Sequence, residues 1–128
     1  MLRLADYISR NYTGKVVEVG IGNFTAVAEE LSSSGFSVVA TDIVEKKVPE
    51  GIEFYVDDIR NPKLEIYENA NLVYSIRPPP EIAKDVVRVS KAVGADCIIK
   101  PLYGDYFEGE LVNYKGLPFY LYRRDKDD

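Results

Sequence analysis

Across 128 residues the chain carries one cysteine, no histidine and a net charge of −5. No disulfide can close within it, and zinc fingers, zinc hydrolases and Ser-His-Asp hydrolases are excluded together. The acidic balance also argues against a broad electrostatic grip on nucleic acid, which needs clustered Lys and Arg.

Hydrophobic residues at 46% and charged residues at 29% are ordinary globular values. No apolar stretch reaches the length of a membrane span. Residues 1–128 are therefore expected to form one cytoplasmic domain with no membrane partner.

Leu2, Leu4, Tyr7 and Ile8 fall near helical spacing, which predicts an amphipathic helix over 2–12, broken by Thr13-Gly14. Lys15–Val19 is short, β-branched and apolar, as a strand buried on both faces would be. Gly20-Ile21-Gly22-Asn23-Phe24 follows, and Phe24, Val27, Ala28 and Leu31 continue at helical spacing until Ser32–Gly35. Phe36–Thr41 reads as a second strand ending at Asp42, and 53–57 as a third. A short helical piece near 63–68 precedes a fourth strand over 71–76.

Arg77-Pro78-Pro79-Pro80 then opens a helix carried by Ile82, Val86, Val89 and Val93, since proline is favourable in a first helical turn. Gly94 closes it, and Asp96–Lys100 is a fifth strand stopped by Pro101. Leu111–Tyr114 and Phe119–Tyr122, joined by Lys115-Gly116-Leu117-Pro118, read as an antiparallel hairpin. Alternating strands and helices imply an α/β fold: a Rossmann-like, doubly wound, mostly parallel sheet with a C-terminal antiparallel hairpin. Ligands of such sheets bind beyond the strands' carboxyl ends, where the strand order reverses.

The residues with chemical promise sit at those ends. Gly20 and Gly22 let the backbone turn tightly and approach a ligand where a helix amino terminus supplies N–H groups. Asp42, at the end of the next strand, is placed to accept from a ribose diol. Thr25 stands where a dinucleotide fingerprint wants its last glycine, and the Glu18 carboxylate beside the turn would repel a pyrophosphate while suiting a cationic amino group. S-adenosylmethionine is therefore the expected cofactor and NAD the alternative.

Glu18-Val19-Gly20-Ile21-Gly22, Asp42, Asp57-Asp58-Ile59 and the Asn71–Ile76 strand resemble the ordered motifs of class I S-adenosylmethionine-dependent methyltransferases over about residues 15–100. The whole chain resembles a small archaeal family of uncharacterised proteins with that Rossmann-like fold. The resemblance implies that Gly20 and Gly22 line the methionine part and Glu18 its amino group, that Asp42 holds the ribose, and that Asp58 and Ile59 meet the adenine. It also places Ser75 and Arg77 where a methyl acceptor enters. Asn23 and Ile43, beside these motifs, complete the expected cofactor-binding set. Phe24 departs from the family pattern by replacing its third glycine.

The remaining features carry less. Arg77 heads a stiff triple-proline loop and could clamp a carboxylate or phosphate, although a rigid connection with an exposed Arg is an equally simple explanation. Tyr103, Tyr106, Tyr114, Tyr120 and Tyr122 are expected as hairpin and core residues; exposed together, they would make a homodimer interface. Cys97 is expected to be buried and inert. Asp57 and Asp58, adjacent on a strand end, point apart and are not expected to bind metal. No catalytic residue stands out. A methyltransferase-like domain of unknown acceptor is the leading expectation, beside a non-catalytic NAD- or adenine-nucleotide-sensing module and a degenerate dimeric scaffold.

Overall fold

The computed structural model describes residues 1–102 and 108–124. Tyr103, Tyr106 and the acidic tail over 125–128 therefore lie outside the described residues. The elements are α1 (Leu2–Asn11), β1 (Lys15–Val19), α2 (Ala26–Ser33), β2 (Ser37–Asp42), β3 (Ile52–Val56), a 3₁₀ turn (Leu64–Ile66), β4 (Leu72–Ile76), α3 (Pro80–Ala92), β5 (Asp96–Lys100), β6 (Glu110–Tyr114) and β7 (Leu117–Tyr122).

The described strands form one seven-stranded sheet in the order β3-β2-β1-β4-β5-β7-β6. The first five are parallel and the last two antiparallel. The α/β, mostly parallel Rossmann-like architecture expected from the sequence is the one found. Sequence order reverses direction between β1 and β4, which makes the carboxyl ends of these two strands the topological switch point.

Alternation along each strand divides the core in two. Val16, Val38, Tyr74, Ile98 and Phe119 face α1 and α2, whereas Val17, Val39, Val73, Cys97 and Ile99 face α3 and the 3₁₀ turn. The central strands are apolar on both faces because helices cover both. Cys97 is fully buried, and burial pushes its thiol up to about 12.

The hairpin differs from expectation at its turn. Lys115 and Gly116 alone form it, with φ values of 51° and 85°, the left-handed pair that suits the twist of a two-residue hairpin. Leu117 and Pro118, expected in the turn, belong to β7. Pro118 is tolerated there because the β5 ladder begins only at Tyr120, so the missing N–H removes no bond to β5.

Helix α1 clasps this hairpin. Tyr7 meets the rings of Tyr114 and Phe119 edge-on at 5.3 and 4.9 Å. Asp6 accepts from the Tyr114 hydroxyl, and Arg3 donates to the Lys115 carbonyl at 2.9 Å. Tyr122 instead packs on the α3 side. Among the described residues no helix is long and apolar enough to cross a membrane.

Phe119 is fully buried at the junction of hairpin, α1 and sheet. Phe119→Ala is expected to cost about 3–5 kcal/mol, the usual loss for a buried aromatic. Urea unfolding should register it as a lower midpoint with an unchanged slope.

Candidate functional site

Strand β1 ends at Val19 and the chain turns through Gly20 and Gly22, with φ of +71° and +56°. Such values strain any residue with a Cβ. At Gly20 the space a Cβ would occupy is open, with no atom within 4 Å. The turn is tied to the neighbouring strand end: Gly20 and Ile21 donate to the Thr41 carbonyl at 2.8 and 3.1 Å, and Gly22 donates to Asp42 Oδ2 at 2.9 Å. Ile21 is buried in the α1/α2 core and pins the turn from below.

Beyond these strand ends lies a crevice of about 370 Å3, within the range of small-ligand sites. Val19, Gly20, Thr41 and Asp42 form one side, Asp57–Arg60 another, and Pro79, Glu81 and Ile82 from the start of α3 a third. Ile43 lines it as well and is 62% exposed, whereas Ile59 is buried. Of the ten residues expected at the site, Gly20, Asp42, Ile43, Asp58 and Ile59 line this crevice. Glu18, Gly22, Asn23, Ser75 and Arg77 stand around it without lining it.

Each carboxylate here has different company. Asp42 accepts from Gly22 N–H and, at 3.4 Å, from Val44 N–H. A carboxylate has about four lone-pair sites, so two remain for a ligand. Asp58 is gripped by Arg60, whose Nε and Nη2 lie 3.1 and 3.3 Å from its two oxygens. That pairing lowers its carboxyl below the ordinary range. Asp57 turns the other way, accepting from Lys63 N–H at 3.0 Å and the Tyr67 hydroxyl at 2.8 Å, and so fixes the loop after β3.

Glu18 lies behind the turn rather than in the crevice. It is fully buried on the α1/α2 face, and its Oε1 accepts from the Tyr74 hydroxyl at 2.8 Å. Burial dominates over that bond and pushes its carboxyl up to about 8. The two residues are direct register partners on β1 and β4.

The β1–β4 ladder stops one residue later. Ser75 there donates to the Val19 carbonyl at 2.8 Å and satisfies it as the strands part. Asn23 is exposed at the tip of the turn. Arg77 adopts φ +54°, a conformation that costs a non-glycine residue about 1–3 kcal/mol. Its N–H donates to the Lys100 carbonyl at 2.6 Å, and its guanidinium lies 5.7 Å from the centre of the Phe24 ring. No local pattern in the sequence points to the α3 wall, Tyr74, Lys100 or Arg60. The crossover and the strand register bring the first three here, and side-chain conformation alone brings Arg60 onto Asp58.

A buried acid whose folded pKa is raised binds its proton more tightly in the native state than in the unfolded chain. Between the ordinary glutamate value of 4.5 and about 8, stability therefore falls as pH rises, by up to about 1.4 kcal/mol per unit. Glu18→Gln keeps an acceptor for Tyr74 and removes the titration. Urea unfolding from pH 4.5 to 8.5 should show that slope in the native chain and a much flatter profile in the variant.

The arrangement has relatives. A model of the uncharacterised protein family UPF0146 matches residues 1–124. An Archaeoglobus fulgidus UPF0146 protein is 64% identical over 128 residues, covering 100% of this chain and 98% of its own length. One from Pyrococcus abyssi is 42% identical over 127 residues, covering 94% and 97%.

Among solved structures, a candidate S-adenosyl-L-methionine-dependent methyltransferase from Methanococcus maripaludis superposes with a TM-score of 0.66 at 14% identity, covering 98% of this chain and 85% of that one. The MycE methyltransferase of mycinamycin biosynthesis, solved with Mg and SAH, gives 0.57 at 16% identity, covering 94% and 44%. A candidate zinc-dependent alcohol dehydrogenase from Rhodobacter sphaeroides gives 0.62 at 16% identity, covering 81% and 48%. At these identities the likeness is one of fold. By its sequence, the chain is a member of the uncharacterised protein family UPF0146.

Proposed function

We propose that this protein is a methyltransferase-like domain that binds S-adenosylmethionine in the crevice between the ends of β1, β2 and β3 and the start of α3. The observation that carries this reading is the open space above Gly20 beside a carboxylate with lone pairs to spare. The residues present fit the cofactor. Asp42 takes the ribose hydroxyls, exposed Ile43 and buried Ile59 face the adenine, and Asp58 stands at its amino group.

The methionine part runs over Gly20, Gly22 and Asn23 towards the parting of β1 and β4. Glu18 acts from behind the turn. A cationic amino group resting on the glycines draws its carboxyl towards the ionised form, which favours this cofactor over a pyrophosphate. When bound, S-adenosylmethionine supplies a sulfonium methyl group open to direct displacement by an acceptor. The chain's own residues hold and orient it, and positioning accounts for most of the acceleration in such transfers. Ser75 and Arg77 stand on the acceptor's side.

A second reading, an NAD- or adenine-nucleotide-sensing module without chemistry, has the fold likeness to an alcohol dehydrogenase in its favour. Thermal unfolding with S-adenosylhomocysteine and NAD in parallel separates the two. A ligand at about 100 times its Kd adds about 2.7 kcal/mol, several degrees in a domain this size. A shift with S-adenosylhomocysteine supports the first reading, and a shift with NAD alone supports the second.

Asp42→Ala is expected to weaken S-adenosylhomocysteine binding by about 1.5–3 kcal/mol, roughly tenfold to a hundredfold. Asp42→Asn keeps one acceptor for Gly22 N–H and separates loss of the ribose contact from loss of the turn. Calorimetric titration measures both. Undiminished affinity in both folded variants would move the ribose elsewhere.

A further inference from the structure

Arg77 and Lys100 stand side by side at the carboxyl ends of β4 and β5. Lys100 is the register partner of Ile76, and the Arg77 N–H is bonded to the Lys100 carbonyl. Arg77 is exposed, yet it is held in place. Its backbone is locked in the left-handed region, three prolines follow it, and its guanidinium rests against the Phe24 ring. Pro79, two residues on, already lines the crevice. Lys100 is half-buried, and its Nζ donates to the neighbouring Pro101 carbonyl at 3.1 Å. Burial first, and then the charge of Arg77, lower its ammonium below the usual lysine range.

Among the described residues neither of these two cations has a carboxylate partner. Among the described residues Arg10, Arg60, Arg88, Lys115 and Arg123 each pair with a carboxylate. Neither Arg77 nor Lys100 does, and nor do Arg3, Lys15, Lys46, Lys47, Lys63, Lys84, Lys91 and Arg124; what sets this pair apart is that Lys100 is partly desolvated within reach of the Arg77 charge. Two neighbouring like charges, one partly desolvated, repel each other unless an anion lies between them. They stand beside the switch point, Arg77 just past the end of β4 and Lys100 at the end of β5, where a second ligand would meet the cofactor.

We propose that Arg77 and Lys100 form an oxyanion site for the methyl acceptor, which is a small molecule bearing a carboxylate or a phosphate. Arg77 grips two oxygens with its planar fork, Lys100 adds a point charge, and Phe24 holds the guanidinium in place. The acceptor role rests on the crevice being the cofactor site. The anion site itself does not.

Calorimetric titration of the full chain at low ionic strength with inorganic phosphate, and separately with malonate, tests the site. One probe or both should bind with one-to-one stoichiometry in the millimolar range or tighter, and which of them binds identifies phosphate or carboxylate as the preferred group. Arg77→Gln and Lys100→Gln should each weaken binding at least tenfold. Arg77→Lys, which keeps the charge and loses the fork, should fall between, and Arg88→Gln, on the far end of α3, should bind as the native chain does.

Absence of binding by the native chain overturns the proposal. So does binding that survives both Gln variants, or that falls equally in Arg88→Gln. Titration of the native chain with S-adenosylhomocysteine is a separate arm. Its failure removes the cofactor reading and leaves the anion site standing, and its success beside silent anion probes does the reverse.

Discussion

The site is organised by the join between the glycine turn and the end of β2. The Thr41 carbonyl takes two N–H groups from the turn, and the Asp42 carboxylate takes a third. These bonds extend the β1–β2 association past the last paired residues, at the level where β1 and β4 part company. The β2 side is therefore held by three bonds, while on the β4 side only the Ser75 hydroxyl still reaches the Val19 carbonyl. Glycine at 20 and 22 is a requirement of that join, because the left-handed backbone that aims their N–H groups at β2 excludes side chains without strain.

The same geometry explains the costly groups nearby. A glutamic acid deep in an apolar core is unfavourable unless it is neutral and hydrogen-bonded. Glu18 is met by the Tyr74 hydroxyl and shifted towards its neutral form. Ser75 is buried one step later, where a regular ladder bond is missing, and its hydroxyl stands in for the absent amide. Arg77 carries backbone strain one turn above. Unfavourable groups gathered at one end of a regular sheet are a common sign that the end is used. The opposite end is conventional by comparison: Asp96 there simply accepts from Tyr12 and from the Arg124 backbone.

Much of the scaffold was legible because its signals are local. Lys15–Val19 and Asp96–Lys100 are β-branched, apolar runs between breakers, and both strands have the bounds their composition predicts. Helix α2 starts at Ala26, two residues after the apolar spacing begins at Phe24. The two left-handed glycines delay the helix and leave Phe24 in the loop, where its ring meets Arg77.

Of the candidate site, Gly20 could be named because it follows a strand directly and Asp42 because it ends one. The pairing of Glu18 with Tyr74, across 56 residues of sequence, could not. It depends on the register of two strands that a crossover makes neighbours, and no local pattern encodes that register. The α3 wall of the crevice was hidden for the same reason, and the Asp58–Arg60 pair because only side-chain conformation brings it together.

An amide-resolved NMR titration of the native chain with S-adenosylhomocysteine reports where the ligand sits. Binding in the crevice moves the backbone signals of Gly20, Gly22, Ile43, Asp58 and Ile59 together to saturation, while those of β6 and β7 stay in place. Saturating ligand that leaves the two glycines and Ile43 unmoved, or that perturbs the hairpin instead, would contradict it.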